Sequence, residues 1–223
     1  YQQYICIKQE KKGFFLKKTL VIITGTTRGL GKALKTRFKD CSVVSINRSN
    51  NDDSDICIDL SIDNIEINIS KIIKSYENII FISNASIIKP IKKIRELNNN
   101  DLNISINTNF INQAKIILQI IKSDKKYSIL NITSGAAFTS NSDLSLYSSS
   151  KAAIHRFIEI LKKEEENNPN ALFVDNFDPG RMQTEMQEDL IKDKNLNINI
   201  NEFTCVDEVA NKIYQILGKY INE

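Results

Sequence analysis

With 223 residues, 41% of them hydrophobic and 26% charged, the chain has the size and composition of one globular domain able to bury its own core. Its 30 basic residues are scattered among 27 acidic ones, for a net charge of +3, which argues against a nucleic-acid footprint. Cys6, Cys41, Cys57 and Cys205 lack paired or metal-type spacing and His155 is the only histidine, so no metal site is expected and the thiols fit a reducing cytoplasm.

No apolar run approaches the roughly 18 to 20 residues of a membrane span, so no membrane partner is expected. Isoleucine, asparagine and lysine are in excess, which makes isoleucine the default core residue and asparagine the default surface filler. Residues 1–18 read as an amino-terminal extension outside the domain: ICI and FFL are short, and lysines interrupt them. The domain itself is assigned to residues 19–223.

The first strand is expected at residues 19–24, TLVIIT, running into GTTRGLG and the helical segment KALKTRFKD. Glycines fall at 25, 29 and 31, spaced G-x-x-x-G-x-G. A strand, a glycine loop and a helix in that order aim backbone N–H groups at a pyrophosphate, with glycine needed where a Cβ would block close approach. A second strand, residues 41–47, ends at Arg48 and Ser49 with no acid at its tip. An arginine there suits the extra phosphate of NADP(H), and Arg28 in the glycine loop is expected to add a second cation on the same side. NAD(H) is the less favoured cofactor; Asp52, Asp53 or Asp55 would have to fold back to bind its ribose.

Residues 55–60 read as a third strand and residues 62–76 as an amphipathic helix. The fourth strand, residues 78–83, leads into Asn84, Ala85 and Ser86, small enough for a cofactor's adenosine half to lie against the chain. A long helix is expected from Asp101 to about Ser123, its buried stripe formed by Leu102, Ile106, Phe110, Ile117 and Ile121, with Asn107 beside it. The β-branched run at 128–133 then delivers Ser134 to a strand's carboxyl end, the edge where open α/β sheets bind ligands.

From Tyr147 the pattern turns helical, with Tyr147, Lys151, Ile154, Ile158 and Leu161 along one stripe. A phenol titrates near pH 10 and is a poor acid catalyst at neutrality, but a neighbouring ammonium favours its phenolate. Lowering it by about three units takes roughly 4 kcal/mol, which Lys151 and an oxidised nicotinamide would supply together. His155 is expected to pack or face solvent, and Glu164 to Glu166 to form a solvated helix end. A sixth strand at 171–177, the turn DPGRMQTEM, a polar Asn-rich stretch and a last helix at about 206–217 complete the chain. The alternation of strand and helix argues for a doubly wound parallel sheet with helices on both faces, a single-domain Rossmann fold.

These motifs, in this order, resemble the short-chain dehydrogenase/reductase family over residues 19–221. TGTTRGLG is similar to its cofactor loop, Ser83 to Ser86 to its N-N-A-G motif with serine at the first and last places, and Asp59-Leu60 to its adenine-contacting turn. PGRMQT is similar to its P-G-x-x-x-T nicotinamide turn, and Asn107, Ser134, Tyr147 and Lys151 fall where its catalytic tetrad belongs. Within the family the benzil reductase and sepiapterin reductase branch is most similar. GKYINE resembles the start of the family's seventh strand.

The resemblance implies an NADPH-dependent reductase of a small ketone or dicarbonyl. Tyr147 would be proton donor, Ser134 would fix the carbonyl oxygen, Lys151 would bind the nicotinamide ribose, and Asn107 would hold a water feeding Lys151. Cofactor contacts would come from Gly25, Thr27, Arg28, Gly29, Leu30, Gly31, Arg48, Asp59, Leu60, Asn84 and Ala85. Tyr147, Lys151, Pro179, Gly180, Met182 and Thr184 would add those around the nicotinamide. Phe138, Leu144, Leu146, Met182 and Met186 are candidates for an apolar substrate wall. A homo-dimer or homo-tetramer is implied, with Ala153, Phe157 and Ile160 on the pairing face. The competing readings are a 3-oxoacyl thioester reductase, needing a basic docking patch that the sequence does not reveal near the site, and a non-catalytic NADP-binding regulator.

Overall fold

The computed structural model describes residues 18–49, 56–63 and 67–221. The expected extension up to residue 17, Cys6, and the alternative ribose ligands Asp52, Asp53 and Asp55 lie outside the described residues. Six parallel strands form one sheet: β1 (Thr19–Thr24), β2 (Ser42–Asn47), β3 (Ile56–Cys57), β4 (Asn78–Ser83), β5 (Lys126–Ile132) and β6 (Ala171–Phe177). Their order is β3-β2-β1-β4-β5-β6. The order reverses between β1 and β4, so their carboxyl ends diverge and leave a cleft.

β1 and β4 are apolar throughout because both faces are covered, and every residue in them is buried. Alternate side chains serve opposite layers. Leu20, Ile22 and Phe81 pack with Ile117, Ile154 and Ile158, whereas Val21, Ile23 and Ile82 pack with Leu34, Ile213 and Leu217. The helices of these layers are α1 (Gly29–Arg37), α4 (Asn112–Ile121), α5 (Ser145–Glu164) and α7 (Val206–Leu217), together with α2 (Ser70–Ile73), α3 (Asn99–Ile106) and α6 (Glu185–Asp193).

The expected elements differ from these in several places. Of the helix expected at 62–76, only Ser70–Ile73 is helical among the described residues. β-branched isoleucine and asparagine are weak helix formers, and here tertiary bonds decide. Ile67 and Ile69 are buried while Gln119 accepts from the Ile69 N–H at 3.0 Å and donates to the Ile67 carbonyl. The third strand shrinks to two residues, and Asp59 turns the chain by accepting from the Ser61 N–H at 2.9 Å.

The long helix runs as α3 and α4 with one wide π turn, Asn107–Ile111, between them. That turn rotates the inward face, so Leu102 is left 48% exposed while Ile116, Ile117 and Ile120 fill the core. α6 was not expected, although Thr184 with glutamine three residues on is a capping signature. Residues Gly218–Tyr220 form a helical turn, not the start of a strand. Glu165 is also more than a solvated helix end, since the Tyr127 hydroxyl donates to it at 2.7 Å.

Candidate active site

The glycine loop is shaped by the ends of three strands. The Thr24 hydroxyl accepts from the N–H groups of Asn84 (3.0 Å) and Ala85 (2.9 Å), and the Asn84 amide donates to the carbonyls of Thr24 (2.9 Å) and Gly25 (3.0 Å). On the other side the Gly25 N–H donates to Ile46 O at 2.9 Å and the Thr26 N–H to the Asn47 side chain at 2.7 Å. A Cβ on Gly31 would stand 1.9 Å from Gly25 O and 2.6 Å from the Asn84 amide, so only glycine fits there. Gly25 itself has φ +72° and sits against Ala85.

α1 starts in this loop without help. Its N-cap, Arg28, is extended and contributes no side-chain cap, and no acid lies in the first turn. Buried Leu30 anchors the helix while its first N–H groups remain for an anion, the arrangement a dinucleotide pyrophosphate requires. The residues therefore fit the cofactor that the glycine pattern implied. At the adenine end, Leu60 O accepts from the buried Asn112 amide at 2.8 Å, next to the Asp59 turn. Thr27 and Arg48 are exposed at the rim. The Arg28 guanidinium pairs with Glu185 of α6, across the cleft.

The opposite wall begins at the end of β5. Ser134 is extended there (φ −158°), its hydroxyl accepts from the Ala136 N–H at 3.2 Å, and it is near enough to the Tyr147 phenol to favour the ionised form. On α5 the stripe Tyr147, Lys151, Ile154, Ile158 and Leu161 is buried as its spacing predicts. The Lys151 ammonium donates to Ile132 O at 2.8 Å and lies 5.9 Å from the Tyr147 ring centre. Burial lowers the Lys151 pKa to about 8, opposed by the negative charge of Asp178.

The fall expected at Tyr147 needs Lys151 and an oxidised nicotinamide together; the protein's own groups on balance act the other way. Burial pushes the phenol up, the Ser134 hydroxyl works against that rise, and the charge of Asp178 adds to it. Asp178 precedes Pro179, and its carboxylate also accepts from the Gly180 N–H at 2.9 Å. Gly180 has φ +69° with open space around it, which turns the chain towards Thr184, the N-cap of α6. A Cβ on Gly29 would lie 3.6 Å from the Thr184 methyl, so the nicotinamide turn abuts the glycine loop.

The side chains of Asn107 and Asn109 face different partners. Asn107 donates to Ser61 O at 3.3 Å and to the Asp63 carboxylate, away from α5, because the π turn begins at this residue. Asn109 faces α5. It accepts from Ser86 Oγ (3.1 Å) and the Ile87 N–H (2.8 Å), and donates to Ile87 O and Ser150 Oγ, both at 2.9 Å. Ser150 is the neighbour of Lys151. A polar stripe at helical spacing, Ser105, Asn109, Asn112 and Gln113, all buried, is the sequence signal for this residue.

The substrate side is walled by Ile88, Leu144 and Tyr147 with Ile91, Ala136, Met186 and Leu190. Leu146 is half-buried on the first turn of α5. Two expected lining residues are elsewhere. Met182 bridges Thr204 and packs in the α1–α7 layer, and Phe138 is 67% exposed, edge-on to His155 at 4.6 Å. His155 is itself occupied by a 3.2 Å hydrogen bond with Thr133. Among the described residues no cluster of metal-ligating side chains occurs, and no helix is long and apolar enough to cross a membrane.

The family model for short chain dehydrogenase matches residues 19–195. Two similar proteins are benzil reductases that form (S)-benzoin. The one from Bacillus subtilis (strain 168) is 31% identical over 185 residues, covering 75% of this chain and 76% of its own. The one from Bacillus cereus is 28% identical over 191 residues, covering 75% and 77%. Among solved structures, a 4-hydroxyisoleucine dehydrogenase complexed with NADH superposes with a TM-score of 0.73 at 21% identity, covering 92% of this chain and 94% of that one.

Proposed function

Because the chain belongs to the short-chain dehydrogenase family, in its benzil reductase-like branch, we propose that it is an NADPH-dependent oxidoreductase that reduces a small ketone or dicarbonyl to the alcohol. The observation that carries this reading is the burial of Tyr147 and Lys151 one helical turn apart on α5, with Ser134 beside the phenol and an apolar wall next to it. Bound in the cleft, the nicotinamide supplies the hydride.

The residues of the chain handle the rest. Ser134 hydrogen-bonds the carbonyl oxygen and holds it at Tyr147, whose hydroxyl gives that oxygen its proton as the charge develops. A phenol raised by burial stays protonated near neutrality, which suits a proton donor. Lys151 takes the nicotinamide ribose hydroxyls and carries protons back to Tyr147. Asn109 fixes the 86–87 loop against α5 and positions that helix, whereas the role expected of Asn107 is to hold a water feeding Lys151. Gly25, Gly29, Leu30 and Gly31 cradle the pyrophosphate, Arg48 and Arg28 serve the extra phosphate, Asp59 and Leu60 the adenine. Asn84 and Ala85 support the adenosine half. Pro179, Gly180 and Thr184 orient the carboxamide.

The test is loss of reduced-nicotinamide absorbance with NADPH or NADH and a panel of benzil, sepiapterin, diacetyl and an acetoacetyl thioester. Tyr147→Phe should lose at least about 10²-fold in turnover, with NADPH binding by fluorescence titration unchanged. Unaltered turnover in that variant refutes the proton donor. NADPH binding without turnover of any ketone would favour the non-catalytic regulator.

One observation favours the thioester reading as a second possibility. Lys93 and Arg95 line a cavity of about 300 Å3 with Asn141, Ser142, Asp143 and Ser145, the last at the start of the catalytic helix. Faster turnover of the acetoacetyl thioester than of benzil would select it. We also propose a homo-dimer paired through the outer face of α4 and α5, where Phe157 packs on Phe110 and Ile160 is 51% exposed. Sedimentation showing only monomer at micromolar concentration would refute it. The described cysteines, Cys41, Cys57 and Cys205, are free thiols, in keeping with the cytoplasmic location we assign.

A further inference from the structure

An ion pair joins the two walls of the cofactor cleft at its mouth. Arg28 is the N-cap of α1 and Glu185 the first residue of α6, and their side chains meet although each is about three-fifths exposed, at 62% and 61%. A Cβ on the adjoining Gly29 would lie 3.6 Å from the methyl of Thr184, the residue before Glu185. The pair therefore spans the groove directly above the uncapped α1 N-terminus. α6 does not depend on this contact for its place. Lys89 pairs with both Asp189 and Asp193 at 3.5 Å, and Lys194 pairs with Asp143 at 3.8 Å and donates to Ser142 O. Leu190 and Met186 add apolar contact with the Tyr147 cluster.

An exposed guanidinium holding one carboxylate is poised to exchange it. A phosphate offers Arg28 a bidentate partner with more charge than the single Glu185 oxygen it holds. We propose that Glu185 is a cofactor-discriminating residue, an internal carboxylate that competes with a dinucleotide's 2′-phosphate for Arg28. A dinucleotide lacking that phosphate leaves the pair intact, whereas one carrying it must displace Glu185 first. The two cofactors therefore meet different opposition from the same side chain, and Glu185 narrows the preference that Arg28 creates. This rests on the reading that Arg28 serves the extra phosphate.

The experiment titrates the full chain with NADPH and with NADH at fixed ionic strength, following nicotinamide fluorescence, for the native protein, Glu185→Gln, Arg28→Ala and the double variant. Adenosine 2′,5′-bisphosphate against AMP is followed by thermal shift as a readout free of the nicotinamide. Glu185→Gln should tighten NADPH by about two- to five-fold, the range of an exposed ion pair, and leave NADH within about 1.5-fold. In the Arg28→Ala background the same change should do nothing. Unchanged NADPH affinity in Glu185→Gln, where Arg28→Ala still weakens NADPH selectively, overturns the competition alone. Equal tightening of both dinucleotides overturns the discrimination. Arg28→Ala weakening both cofactors equally removes the phosphate reading, and the proposal with it. A melting temperature for Glu185→Gln within a few degrees of native confirms that the folded chain is compared.

Discussion

Lys151→Met exchanges a buried cation for an apolar side chain of similar length, and its effect on stability follows from where the ammonium sits. Lys151 is 4% exposed, its one hydrogen bond runs to Ile132 O, and burial takes its pKa from the ordinary 10.5 to about 8. The folded chain therefore holds this proton less tightly than the unfolded chain. Between about pH 8 and 10.5 the unfolded state binds a proton that the native state has released, so native stability rises with pH across that window. Below the window the whole penalty is present. A gap of about 2.5 in pKa corresponds to about 3 kcal/mol.

The methionine variant carries no such penalty but leaves Ile132 O without its donor, at a cost of about 1 kcal/mol. It should be more stable than the native chain by about 2 kcal/mol at pH 7, and that advantage should fall by about 3 kcal/mol by pH 10.5. Groups common to both chains, Tyr147 among them, cancel to first order. Urea unfolding followed by circular dichroism at pH 7, 8, 9 and 10 measures the difference directly. A difference flat within about 0.5 kcal/mol over that range would refute a charged ammonium in the core. A gain in stability at the expense of turnover is the pattern expected of a strained active-site residue.

Two further outcomes separate residues that the sequence alone confuses or leaves unranked. Asn109→Ala should lower reductase turnover by about 10²-fold through misplacing α5 and the 86–87 loop, while Asn107→Ala stays within about three-fold; kcat for the two variants decides, and the reverse ranking refutes the positioning role of Asn109. Gly31→Ala places a methyl 1.9 Å from Gly25 O, so it should cost about 2–4 kcal/mol in urea unfolding and weaken NADPH binding at least tenfold. Near-native binding would show that the loop has another way to close.

The parts of the fold legible in the sequence are those whose pattern is set by burial on two sides. TLVIIT and NIIFIS are continuous apolar runs because the helical layers cover both faces of β1 and β4, and the Tyr147 stripe keeps strict helical spacing over four turns. Residues 62–76 misled because isoleucines at helical intervals are what this composition yields by default; there the backbone is held by the Gln119 side chain, a contact about 50 residues distant. That Asn107 and Asn109 face different partners was not legible, because a sequence carries no mark of the π turn that begins at Asn107. Arg28 could be read as a cation at the cleft, but not which way it turns. That depends on Glu185, 157 residues later, on a helix hidden by its polar surface.

The threonine that ties the glycine loop to β4 gives the chain a check on its own completion. Thr24 and Gly25 are held by Asn84 and Ala85 from about 60 residues further along, so the loop has its shape only after β1 and β4 have paired. Closing a segment of that length is an entropic cost met late in folding. A partly folded or carboxyl-terminally truncated chain lacking β4 would therefore present no dinucleotide site, however intact its first strand and helix. The dinucleotide, binding only the finished molecule, pulls the folding equilibrium towards completion in proportion to its own abundance.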